Sequence, residues 1–278
     1  MNRWTKYLSK SGTIRIVTID AGIVVEEMAA NHGLNGSLTL GLGEGALAGL
    51  LLAASHKSGE RINLSIQGSG VWKRVVVDAD PDGFVRAFIY SGESDHSSRG
   101  PWGNGIITVL QTQNNEGKQP YSGMVTLGTG FLDKDMSIYW NQSAQIPTTI
   151  VFSKNGKKAL MAQAITGASP EDVEQILSCG PEFRKLVETD ILKAGSEWQK
   201  IFPEHSFSIM EDTPIAFRCN CSQERVEQAL LLTGQDDIRY LIANDEAFEM
   251  KCDFCSTVYK VNRERAEELM RTLTKKGN

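Results

Sequence analysis

The chain has 278 residues, enough for one large domain with appendages or for two domains with separate cores. A hydrophobic fraction of 41% and a charged fraction of 23% are ordinary for a soluble globular protein. The formal net charge of -5 argues against non-specific nucleic-acid binding, which needs basic surface to neutralise phosphates.

The start, MNRWTKYLSKSGTIRIV, lacks the apolar run of an export signal, so the expected compartment is a reducing cytoplasm. GTIRIVTID alternates as a strand, with Ile14, Ile16 and Ile19 placed on one side. AGIVVEEMAANHG reads as a helix closed by Gly33. Residues 38–54, LTLGLGEGALAGLLLAA, carry Glu44 and several glycines and are short for a membrane span, so they read as a buried helix packed closely through small residues. GLGEGALAG within it mimics a phosphate loop but lacks the Lys-Ser/Thr such a loop requires.

RINLSIQGSG puts Ile62, Leu64 and Ile66 on one strand face. VWKRVVVDADPDGFVRAFIY predicts a hairpin turning at Pro81-Asp82-Gly83, and Asp78, Asp80 and Asp82 fit turn chemistry better than a calcium loop. A polar, glycine-rich loop over 91–105 precedes a strand at IITVLQTQ; the turn-rich NNEGKQPYSG leads to another near Met124. FLDKDMSIYWNQSAQ predicts a helix burying Phe131, Ile138 and Trp140. TTIVFSKNGKKALMAQ predicts a hairpin with a type I′ turn at Asn155-Gly156.

The texture changes near Gly167. SPEDVEQILSCGP carries a full helix-entry pattern, with Ser169 as N-cap and Pro170 at the first helical position. EFRKLVETDILKAG predicts a second helix with Phe183, Leu186, Val187 and Ile191 on one face. Short, charged, amphipathic helices need something to lie on, so residues 167–218 read as a helical linker. Cys179 within it reads as an ordinary half-buried thiol. Beyond it, helices at SQERVEQALLLTG and DDIRYLIAN, a strand–knuckle–strand at EAFEMKCDFCSTVYKV and a closing helix bearing Ala266, Leu269, Met270 and Leu273 form a last module.

Four of the five cysteines fall in that module: Cys219 and Cys221, then, after thirty intervening residues, Cys252 and Cys255. Two close pairs of thiolates are what a tetrahedral all-cysteine zinc site requires, and such a site supplies folding energy to a module of this size. From Cys219 onward nine Lys and Arg face eleven Asp and Glu, which speaks against a nucleic-acid finger. Histidines 32, 56, 96 and 205 are scattered and add no ligand. The Cys-x-Cys spacing is unusual for zinc. Each pair is also close enough to close a strained, reducible local disulfide, so ligand set, disulfide and an exchange between the two all stand.

FRCNCSQERVEQALLLTG followed by CDFCSTVYKV resembles the zinc switch of the redox-regulated heat-shock chaperonins, the heat shock protein 33 family. SIQGSG, VDADPDGFVRAFI, PYSGMV and QSAQIPT are similar to other segments of that family. The resemblance implies an α+β fold: a mixed α/β domain over 1–166, a helical linker over 167–218 and a zinc domain over 219–278. It also implies a protein that is not an enzyme but an ATP-independent holdase of the bacterial cytosol, inactive when reduced with one zinc ion on Cys219, Cys221, Cys252 and Cys255. Oxidant with unfolding conditions would form Cys219–Cys221 and Cys252–Cys255 disulfides and release the zinc. The linker would then unfold, and a homodimer would capture unfolding clients and pass them to foldase chaperones. Nucleic acid and membrane are not expected partners. One departure stands out: Lys158-Ala159 occupies the place of the family's paired glycines.

Two other readings compete. A thiol–disulfide oxidoreductase would use Cys252-Asp253-Phe254-Cys255 catalytically, but that pair sits in a zinc-type hairpin rather than before a thioredoxin-like helix. A binding module with permanent structural zinc would keep its metal under peroxide and heat.

Overall fold

Two sheets, antiparallel except for one two-residue strand, wrap on one apolar helix to make up the first of two units, Met1–Arg218 and Cys219–Asn278. The structure is a computed structural model and describes residues 2–93, 100–113, 120–189, 197–244 and 247–276. In the first unit β1 (Arg3–Ser9) and β2 (Ile14–Asp20) lead into α1 (Gly22–Asn31) and α2 (Gly36–Ala54). Strands β3 (Glu60–Gly68), β4 (Trp72–Ala79), β5 (Phe84–Ser91), β6 (Gly105–Gln113) and β7 (Tyr121–Leu127) follow, then α3 (Leu132–Gln142), β8 (Thr148–Phe152) and β9 (Lys158–Ala164). Helices α4 (Pro170–Ser178), α5 (Gly180–Leu186) and α6 (Trp198–Ile201) precede β10 (Phe207–Pro214) and β11 (Ala216–Phe217). The second unit contains α7 (Gln223–Thr233), α8 (Gln235–Asn244), β12 (Phe248–Lys251), β13 (Val258–Val261) and α9 (Arg263–Lys276).

One sheet has five strands in the order β10-β1-β2-β9-β8, the other six in the order β11-β5-β4-β3-β6-β7. The α+β architecture expected from the sequence is present. Helix α2 is long and apolar enough to cross a membrane, but 72% of its most apolar window is buried within the fold, as in a core helix. Its glycines explain how: a Cβ on Gly41 would meet Trp72 at 2.7 Å, on Gly45 would meet Val75 at 2.8 Å and on Gly49 would meet Val77 at 2.6 Å. The four-residue spacing lays these glycines as one groove along the helix, into which β4 packs. Ile62, Leu64 and Ile66 line the same core from β3.

Glu44 is the one charged side chain of that helix. Its Oε2 accepts from Trp102 Nε1 at 2.9 Å. Burial, above all, pushes its carboxyl from 4.5 up to about 7; the Trp102 bond opposes this and the nearby Asp133 charge adds to it. A raised carboxyl favours the folded state below its ordinary value, and that stability is lost as pH rises through 7. Glu44→Gln keeps an acceptor for Trp102 and removes the ionisation. It is expected to match the parent near pH 4.5 and to exceed it above pH 7 by roughly 3 kcal/mol. Urea unfolding at the two pH values checks this; an equal shift at both would overturn it.

The five-stranded sheet is buried on both faces. Val17, Ile19 and Met161 face the α2 core, whereas Ile14, Ile16, Leu160 and Ala162 face a second core supplied by α4, α5 and α6. Ile19 therefore lies opposite Ile14 and Ile16, because residues separated by an odd number along a strand point to opposite faces.

The Ser153–Lys157 connection between β8 and β9 also differs from expectation: only Gly156 has positive φ (66°), so the turn is not type I′, which needs positive φ at both central residues. Phe131 is exposed rather than buried, since it caps α3 from outside the helix with Lys134 over its ring. Ile138 is partly buried and Trp140 fully so; Leu132 and Met136 fill the place expected for Phe131. Asp80 Oδ1 accepts from the N–H groups of Asp82 and Phe84, the turn chemistry expected of that aspartate.

Residues 167–218 are not wholly helical. The capping box of Ser169 and Asp172 starts α4 as the sequence indicates. After α6, however, β10 joins β1 antiparallel and β11 joins β5 in parallel. FSIMEDTP lacks an alternating apolar face, so β10 is held as an edge strand by its ladder rather than by burial. Ile191, His96 and the Leu273 side chain lie outside the described residues, as do parts of the 91–105 and 114–123 loops.

Candidate metal centre

The second unit has a small core: among its described residues, Val226, Leu230, Ile238, Val261, Ala266 and Leu269 are buried and apolar. A two-armed ion pair joins two of its helices, with Arg265 Nη2 2.8 Å and Nε 3.0 Å from the Glu227 carboxylate oxygens. So few buried side chains leave a module of this size short of stabilising energy.

Its four cysteines converge from two local structures. Cys219 and Cys221 occupy the extended entry to α7, which begins where Ser222 Oγ accepts the Arg225 N–H. Cys252 and Cys255 sit on the turn joining β12 to β13. That turn is closed by Cys252 N–H to Thr257 O (2.9 Å) and Ser256 N–H to Cys252 O (2.8 Å), with Ser256 at φ 59°. All four sulfurs lie within 4.8 Å of one another. Cys219 Sγ is 3.4 Å from Cys221 Sγ and 3.6 Å from Cys252 Sγ, and Cys221 Sγ is 3.3 Å from Cys255 Sγ. A tetrahedron with metal–sulfur bonds of ~2.3 Å has sulfur–sulfur edges of about 3.8 Å, so the tetrad is nearly the right size for one metal ion.

The surroundings distinguish the thiols. Burial, chiefly, pushes Cys221 up to about 12, although the Tyr259 hydroxyl donates to its sulfur at 3.0 Å. Burial also raises Cys252, against backbone N–H groups of Cys255 and Phe254 that favour its thiolate. At Cys255 burial is outweighed by hydrogen bonds from Thr257, Cys221 and Cys252, and the thiol falls to about 7. Sequence reasoning found all four cysteines but neither Tyr259 nor Thr257. Tyr259 points inward from β13 only because pairing with Met250 sets its register. Tyr259→Phe removes its hydrogen bond to Cys221 and is expected to weaken metal retention about tenfold. Competition with a coloured chelator measures it, and unchanged retention would overturn it.

A model of the Hsp33 protein family matches residues 2–262. The chain belongs to the Hsp33 family. Among curated relatives, the 33 kDa chaperonin of Lactococcus lactis subsp. cremoris (strain SK11) is 28% identical over 97% of this chain and 100% of its own length. That of Geobacter sulfurreducens is also 28% identical, over 97% of this chain and 95% of its own. The crystal structure of the Thermotoga maritima 33 kDa chaperonin, a heat shock protein 33 homologue, superposes with a TM-score of 0.83 at 22% identity, covering 98% of this chain and 99% of that one. The Hsp33 fold thus spans both units, and the relatives are named chaperonins rather than enzymes.

The fifth cysteine is apart from the tetrad. Cys179 is 3% exposed among Ile176, Phe183 and Trp198, and its S–H donates to Ile176 O. Burial, with the Glu182 charge adding, pushes its thiol up to about 12. Cys179 is therefore more deeply buried than the half-buried thiol expected, and is inert near neutral pH. His205 pairs with Asp172 at 2.7 Å, and Nδ1 of His56 lies 2.6 Å from Leu52 O.

Proposed function

We propose that this chain is a redox-regulated, ATP-independent holdase of the cytoplasm, inactive when reduced with one zinc ion on Cys219, Cys221, Cys252 and Cys255. The observation that carries the reading is the sulfur tetrad itself, drawn from two chain segments in a unit with only a small apolar core. Zinc, when bound, supplies four metal–thiolate bonds and with them much of that unit's folding energy. Oxidation joins Cys219 to Cys221 and Cys252 to Cys255. Each pair of thiolates gives two electrons to one hydrogen peroxide, which takes up two protons from solvent and leaves as two waters, while the ion held by the four sulfurs would be freed. The sulfur separations do not discriminate among pairings, so this one rests on the family resemblance.

Residues 167–218 are the proposed responsive segment. Their helices bury Ile176, Phe183, Val187, Trp198 and Phe202 against Tyr7, Ile14, Ile16, Val151 and Leu160 of the five-stranded sheet. Releasing them bares apolar surface on both sides, which is what capture of unfolding clients requires. The segment ends in a clamp: Arg218 stacks on Phe84 and reaches Asp80 at 3.4 Å, one residue before Cys219. At the departure from the family pattern, Lys158 Nζ donates to Thr189 O at 2.6 Å, tying β9 to the end of the α5 region. Homodimerisation of the active form and transfer of clients to foldases complete the proposal.

The test measures zinc release, free thiols and suppression of a client's thermal aggregation together during peroxide treatment. Two disulfides forming as one zinc leaves, with protection appearing only then, is the expected result. Equal protection by reduced and oxidised chains would sink the redox-regulated reading. Turnover of insulin disulfides would favour the oxidoreductase, and zinc retained with all four thiols protected the permanent structural site.

A further inference from the structure

The geometry points to β7 as a docking edge for an extended, uncharged segment of an unfolded polypeptide, which would add as a further strand to the six-stranded sheet. The inference rests on the holdase reading and says where on the first unit a client is held.

A sheet edge exposes unpaired backbone N–H and C=O groups, and folded proteins block such edges. Here the other edges are blocked by different means. On β8, Asn141 Oδ1 accepts the Thr148 N–H, its Nδ2 donates to Thr148 O, and Ser137 Oγ accepts the Ile150 N–H. On β10, Glu211, Asp212 and Pro214 line the strand and a bulge opposite Lys6 and Tyr7 breaks its register. β11 has two residues. In the second unit β12 and β13 have four residues each and carry Lys251, Glu249 and Lys260, and Gln223 Nε2 donates to Lys260 O.

Among the described residues, β7 has none of these devices. Tyr-Ser-Gly-Met-Val-Thr-Leu is seven residues without charge, proline or bulge, and no described strand pairs with its outer side. Tyr121 and Met124, on opposite faces of the strand, are 61% and 69% exposed, and Ile106 of β6 is exposed on the Met124 face. Such an edge suits β-augmentation, in which main-chain bonds give affinity and side chains give a loose preference.

Area and charge identify the occupant. Seven residues span about 23 Å, and pairing along that length covers far less than the ~1,200 Å² that stable partners bury. A second copy joined here alone would not stay joined. A neutral edge imposes no charge selection and favours neutral, β-prone segments, which folded proteins keep inside and unfolding ones expose.

The test uses the full chain, oxidised, with reduced and carboxymethylated α-lactalbumin as a permanently unfolded probe. Hydrogen exchange over 121–127 is expected to slow at least tenfold on binding, and Met124→Lys, a change at an exposed site, to weaken probe binding roughly tenfold. Probe bound with 121–127 exchanging as before, or bound equally by Met124→Lys, overturns the inference and leaves the holdase reading standing. Protection of 121–127 that follows chain concentration without probe overturns it in favour of a second copy. No probe binding by the oxidised parent overturns both.

Discussion

Cys252→Ser is expected to abolish stoichiometric metal binding and to unfold residues 219–278 at room temperature. Cys252 contributes one sulfur to the tetrad, 3.6 Å from Cys219 Sγ, and a serine hydroxyl is a poor replacement for a zinc thiolate. The effect is large because little else holds this unit. Six buried apolar residues among those described, the Glu227–Arg265 pair and a hairpin of two four-residue strands form its core, whereas structural zinc contributes an apparent ~10–16 kcal/mol in comparable modules. Metal content by chelator titration and amide exchange at Val226 and Leu230 check the prediction. Protected amides at those positions in a metal-free variant would show that the apolar core suffices, and the metal would lose its proposed structural role.

Trp198→Ala tests the other half of the proposal. Trp198 is fully buried, edge-on to Tyr7 with ring centroids 5.6 Å apart and tilted against Phe183 at 6.0 Å. Truncating a buried tryptophan costs about 3–5 kcal/mol, which is large against the docking of three short helices. The reduced, metal-loaded variant is expected to suppress client aggregation without oxidant, and to be cut by protease within 167–218 faster than the parent. Its tetrad should still bind metal, because no substituted atom belongs to the second unit. A variant that docks loosely yet stays inactive when reduced would separate linker release from activity and remove the linker from the client-binding surface.

The two predictions divide along what could be read from residue order. The tetrad was fully legible, since two close thiol pairs in a small acidic module carry their chemistry in their spacing. Ser169 and Pro170 announced α4, and the glycine-rich run at 41–49 announced a closely packed helix. These are local signals, set by residue type within a turn or two. What was missed depends on partners distant in the chain. β10 becomes a strand through pairing with β1 across some two hundred residues. Strand parity turns Ile19 away from Ile14 and Ile16, and it is the packing of α2 on one face and of α4, α5 and α6 on the other that buries all three. Tyr259 reaches the Cys221 sulfur only through the register of β12 on β13, whereas Thr257 meets Cys255 within the turn, two residues away.

Residue order alone therefore specified the α+β class, the four thiols and the amphipathic helices that need a surface to lie on. Tertiary structure chose that surface. The outer face of the five-stranded sheet accepts Phe183, Trp198 and Phe202 because β9 pairs with β2 and sets Leu160 and Ala162 beside Ile14 and Ile16. Burial of apolar area has no direction of its own, so its pattern names which side chains must be covered but not by what. Strand register and helix docking supply that choice. Among the described residues they also pair no strand with the outer side of β7, while Asn141 and Ser137 close the edge at β8, a difference no local pattern in the chain announces.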